Sequence, residues 1–194
     1  MKLLATSIFV LATGCITTPS TKDGQSGNVS GPLPFLRLRL SDAPAAFQSV
    51  FVTISRTEIG TASDAWVTLS DQPQQFDLLT LQNGATALLG GAELAPDHYT
   101  QLRLVVSSAS VVAAGVEQPL TVASGAETGV KINLDAEIAA GMTYTLVIDY
   151  DAARSIQSTG HGYLMTPVIQ TRSLSGAPMF GAAGGDGAGS GDGD

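Results

Sequence analysis

The chain has 194 residues, enough for one domain with a sizeable core and too few for two comfortable ones. Seventeen acidic side chains against nine basic ones give a net charge of -8, spread along the whole length, so the Lys and Arg footprint that displaces counterions from phosphates is missing and nucleic acid is a poor partner. Mean hydropathy is +0.23, yet after the first 14 residues no apolar run approaches the roughly 20 residues of a membrane-crossing helix.

In chain order, "MKLLATSIFVLATGC" places Lys2 before an apolar stretch and small residues before Cys15, the only cysteine. That is the layout of an export signal. It resembles a bacterial lipoprotein signal peptide across Leu11, Ala12, Thr13, Gly14 and Cys15, departing from the commonest pattern at Ala12, where Leu is usual. The resemblance implies that residues 1–14 are removed and that Cys15 is lipidated on its thiol as the new N-terminus. An ordinary buried thiol is the bland alternative, but a cysteine between a signal-like segment and a polar spacer has no core to enter. Each buried methylene of an anchor contributes about 0.8 kcal/mol, so two or three acyl chains hold where one is marginal. Ile16 in place of Asp implies outer-membrane sorting by the rule of enteric bacteria, with the protein facing the periplasm or the cell surface.

Residues 15–33 comprise Cys15 and a spacer of Ser, Thr, Gly and Pro that cannot support a core. As a flexible coil of about 18 residues the spacer reaches about 25 Å. The folded domain is expected over 34–173, as strand after strand. "FLRLRLSD" alternates Leu36, Leu38 and Leu40 with Arg37 and Arg39, and "SVFVTISRTEIG" puts Val50, Val52 and Ile54 on one face, both with the period of two that marks a strand. "AWVTLS" and "QQFDLLTL" follow, and Asn83-Gly84 is a strong hairpin signal. "HYTQLRLVVSSASVV", "QPLTVAS", "GVKINLDAEI", "TYTLVIDYD" and "YLMTPVIQT" complete nine or ten strands, and only "LDAEIAAGM" could supply a helix. This spacing argues for an all-β antiparallel β-sandwich. Residues 174–194, rich in Gly, Ala and Asp, are expected to be disordered.

Read together, "LRLSDAP", "VFVTISRTEI", "WVTL", "FDLLTLQNG", "YTQLRLVV", "SGAETGVKINL", "LVIDYDAARSI" and "GYLMTPVI" resemble, in this order, a bacterial domain of unknown function, family 4382, many of whose members look like exported lipoproteins. The resemblance runs from about Phe35 to Thr171, departing at Asp97, where Gly is common before the Tyr. It implies a β-sandwich of prealbumin-like or carboxypeptidase-regulatory-like kind and brings no activity.

Chemistry is sparse. No "GxSxG" elbow is present, and His98 and His161 are the only histidines, too few with Cys15 for a structural zinc site. Asp149 and Asp151, two apart at a strand end, share a face. They read as a calcium site, a glycosidase-like carboxylate pair, or a charged ladder with Arg37, Arg39, Arg103 or Lys131, and as caps of the turn before Ala152. Asp42 joins Arg103, Lys131, Asp149 and Asp151 in the candidate set for binding or for that ladder. Tyr99, Tyr144, Tyr150, Tyr163 and Trp66 could line a sugar-binding face, although the parity of Tyr144 and Tyr150 with Leu146 and Ile148 favours core packing. The expectation is a lipid-anchored envelope module, binding a carbohydrate or an envelope protein, with no catalytic residue, cofactor or metal. A calcium-stabilised adhesion domain and a hydrolase using Asp149 and Asp151 are the alternatives.

Overall fold

The computed structural model describes residues 31–123, 128–160 and 162–179. Cys15, the signal-like segment, most of the spacer, His161 and residues 180–194 lie outside them, so the expectations made there carry no structural account.

The described chain runs through β1 (Phe35–Asp42), β2 (Ser49–Thr61), β3 (Trp66–Ser70), β4 (Gln74–Asp77), a 3-10 turn (Leu78–Leu81), β5 (Ala87–Glu93), β6 (Asp97–Ala113), β7 (Val116–Val122), β8 (Val130–Ile138), β9 (Met142–Tyr150), the one-turn helix α1 (Ala152–Ser155), β10 (Ile156–Thr159), β11 (Gly162–Met165) and β12 (Ile169–Pro178). One sheet has the order β12-β9-β1-β5; the other has the order β10-β11-β7-β6-β2-β3, with β4 on β2 and β8 on β6. The two pack face to face as an all-β sandwich. Alternation places the core as read: Leu36, Leu38 and Leu40 from β1, Val50, Val52 and Ile54 from β2, and Leu102, Leu104 and Val106 from β6 are all buried. Each such side chain contributes roughly 1.5–3 kcal/mol by leaving water.

The pairing is not wholly antiparallel. β1 lies parallel to β9 over eight residue pairs, and β11 lies parallel to β7. A parallel pair needs a long crossover, and here the chain from β2 to β8, which holds all of the second sheet except β10 and β11, supplies it. Other local expectations shift too. Asn83 and Gly84 do take positive φ, 57° and 90°, but they join the 3-10 turn to β5 and thus connect the two sheets instead of closing a hairpin. "FDLLTL" leaves the strand at Asp77, whose carboxylate accepts the Leu79 amide and starts the 3-10 turn. "LDAEIAAGM" holds the end of β8 and a turn, not a helix. The domain also runs past the expected boundary at Ser173, because β12 stays paired with β9 as far as Pro178 opposite Met142.

Both flanks of the sandwich close. On one, a Cβ at Gly90 of β5 would stand 2.6 Å from the Leu69 carbonyl oxygen of β3, so only glycine allows the two sheets to approach there. On the other, the Thr171 hydroxyl donates to the Asn133 carbonyl at 3.4 Å. The segment before β1 and the end of β12 meet at a single end of the molecule. There Gly141 donates to Pro32, Met179 to Gly141 and Leu94 to Pro34 through backbone bonds of 2.8–2.9 Å.

Candidate functional site

β1 and β9, being parallel, end side by side at the opposite end, with Ser41 level with Asp149 and Asp42 level with Tyr150. Asp42 is 3% exposed. Its Oδ1 accepts the Ala152 amide at 3.0 Å and its Oδ2 accepts the Gln82 side-chain amide at 3.5 Å. Burial is the largest influence on this carboxyl and disfavours its charged form; the two donors partly offset that, while Asp149 and Asp151 add to it, and the pKa rises to about 6. Beneath it, Tyr150 is fully buried, its hydroxyl 3.1 Å from the Met165 sulfur, and desolvation raises its pKa well beyond the usual phenol range.

Asp149 has other company. The Ser41 hydroxyl stands 2.9 Å from its Oδ1, and Arg172 reaches both that oxygen and the Ser41 Oγ at 3.5 Å. Arg172 gets there through a bulge: the β12–β9 register shifts between Thr171 and Ser173, and the extra residue re-aims its side chain over the strand ends. Asp151 turns elsewhere. It is the N-cap of α1, its Oδ1 accepting the Arg154 amide at 2.9 Å while its carbonyl accepts the Ser155 hydroxyl at 2.6 Å.

An open cleft of about 390 Å³ lies over these groups, walled by Asp42, Pro44, Asn83, Gly84, Asp149 and Arg172. The volume falls within the range of small-molecule sites. The Arg172 side chain is 54% exposed there, and its two contacts at 3.5 Å leave most of its five donors available to a ligand.

Of the sequence candidates, the fold therefore brings Asp42, Asp149 and Asp151 together and leaves Arg103 and Lys131 on the other sheet. None of Arg37, Arg39, Arg103 and Lys131 is the ion-pair partner of Asp149 or Asp151. Those partners are Arg172 at 3.5 Å and, loosely, Arg154 at 4.0 Å. A charged ladder does exist, but across β2, β6 and β8: Glu58 stands opposite Arg103, which stands opposite Lys131, and Arg103 bonds Glu58 at 3.1 Å. Arg103 also lies 4.0 Å over the Trp66 ring, and Arg39 is spent on Thr86. Tyr99, Tyr144 and Tyr150 belong to the core; Tyr163 packs edge-on against Phe47. Exposed His98 bonds Asp135 at 2.6 Å, which raises its pKa. Among the described residues no group of three or more His, Cys, Asp or Glu is placed to hold a metal ion.

The family model described as Domain of unknown function (DUF4382) matches residues 35–167. The chain belongs to this family. The match to DUF4382 takes in both parallel strand ends and α1, and stops before β12, so the DUF4382 span contains the carboxylates of the cleft and not Arg172. No curated protein and no solved structure matches the chain.

Proposed function

We propose that the protein is a lipid-anchored cell-envelope lipoprotein whose DUF4382 sandwich is a non-catalytic binding module, holding a carbohydrate of the envelope in the cleft at the ends of β1 and β9. The observation that carries the reading is the pairing of Asp149 with Arg172 in an open cleft. A carboxylate that accepts and a fork of guanidinium donors, side by side, suit the alternating donor and acceptor character of vicinal hydroxyls. The turn at Asn83-Gly84 adds backbone groups to the same wall. The address rests on Cys15 and its signal-like context, and no helix of the described residues is long and apolar enough to cross a membrane.

Titration calorimetry of the full chain against envelope glycans tests the module. Saturable binding without turnover, abolished in Arg172→Gln and in Asp149→Asn, supports it; turnover, or binding unaltered in both variants, rejects it. Fractionation of Cys15→Ala tests the anchor, which predicts loss of the protein from the membrane fraction.

A further inference from the structure

At the end of the sandwich opposite the cleft several apolar side chains stand together. Leu33 is 50% exposed there, Ala139 and Pro178 are exposed, and Met142 and Met179 are half-buried, with no charged side chain among them. They do not hang from loose loops: the Pro32–Gly141 and Gly141–Met179 backbone bonds tie the three segments into one platform, and Tyr144 accepts the Ala139 amide at 3.0 Å beneath it. Around it stand Glu93, Asp97 and Glu137, all exposed. This is also the end from which the chain leads back through about 18 spacer residues to Cys15.

We infer that this platform rests on the lipid surface, and that it fits a bilayer of neutral or zwitterionic headgroups. The inference relies on the Cys15 anchor proposed above. A coil of about 18 residues spans about 25 Å root-mean-square, so a tether of that length holds the domain close to the bilayer, and a small apolar patch that could not bind a membrane from solution suffices to orient it. The acidic rim repels anionic headgroups and sets the preference. In that pose β1 rises from the surface, and Asp42, seven strand steps beyond Phe35, stands roughly 23 Å higher. The cleft opens away from the membrane. β6 starts beside the platform and runs 17 residues away from it to the Ala114-Gly115 turn.

Because Cys15 is the only cysteine and its thiol is consumed by the lipid, one introduced cysteine takes a nitroxide label selectively. Leu33→Cys and Val116→Cys change exposed positions, 50% and 58% accessible, which spares the fold. Lipidated protein is reconstituted in phosphatidylcholine vesicles and each label is tested against a water-soluble nickel relaxant and against oxygen. The expected result is strong loss of nickel access at position 33, with gain of oxygen access, and full nickel access at position 116. Added phosphatidylglycerol should reduce the shielding at 33. Protein that floats with the vesicles while both labels stay fully open to nickel overturns the orientation alone. Protein that does not associate with vesicles overturns the anchor, and the orientation with it.

Discussion

Asp42 Oδ1 accepts the Ala152 amide at 3.0 Å across 110 residues of sequence, so the carboxylate that ends the first strand also holds the first residue of the only α-helix among the described residues. A buried acid with two donors is partly compensated, and its raised pKa shows that the compensation falls short of what water would give.

The sign of the pH dependence follows. The folded carboxyl, near 6, holds its proton more tightly than the unfolded one, near 3.8, so the native state binds more protons between those values. Stability from this group is therefore greatest below about pH 4 and is lost as pH rises through 6. Asp42→Asn keeps a carbonyl acceptor for Ala152 and removes the charge. Urea titrations from pH 4 to 7.5 are expected to show a flatter profile in this variant, with stability at pH 7.5 equal to or above the parent's.

Asp42→Ala tests the bond instead of the charge. It leaves the Ala152 amide buried without its acceptor, a loss of about 1–3 kcal/mol. The midpoint of unfolding at pH 7.5 should fall for Ala and not for Asn.

Asp151→Ala removes the N-cap of α1 and should lower stability by about 1 kcal/mol. Glycan affinity in the same calorimetric assay should remain unchanged, because Asp151 faces the Arg154 amide and not the cleft. Arg172→Ala is the converse. Its ion pair is long and its side chain exposed, so less than about 1 kcal/mol of stability should go, while binding is lost.

Gly90→Ala drives a methyl group into the Leu69 carbonyl at the closed flank. A loss of about 1–3 kcal/mol is expected on thermal or urea unfolding, of the size seen for overpacked cores.

The core strands are legible because their period of two survives in the buried ones, as in β1, where Leu36, Leu38 and Leu40 are buried and Arg37 is not. Pairing is not, since alternation states which face is buried and nothing about which strand lies alongside; the parallel partnership of β1 with β9 left no mark. The break in "YLMTPVIQT" at Thr166-Pro167-Val168 follows from Pro167, which cannot donate to a ladder. Asp149 and Asp151 were read as sharing a face, but strand geometry stops at Tyr150 and the second aspartate becomes a cap, a role that its position before "AARS" does allow. Arg172 was missed altogether. It lies in a bulge on a strand whose residues are mostly exposed, where hydrophobic alternation has nothing to report.

The parallel β1–β9 pair also constrains the order in which the chain acquires its shape. The first strand can meet β5 early, but its other edge must wait for Met142–Tyr150, and β12 in turn needs β9. Contacts so distant in sequence are slow to form. Through most of synthesis the segment "FLRLRLSD" therefore keeps one edge bare, with Arg37 and Arg39 as its main protection against joining the wrong neighbour.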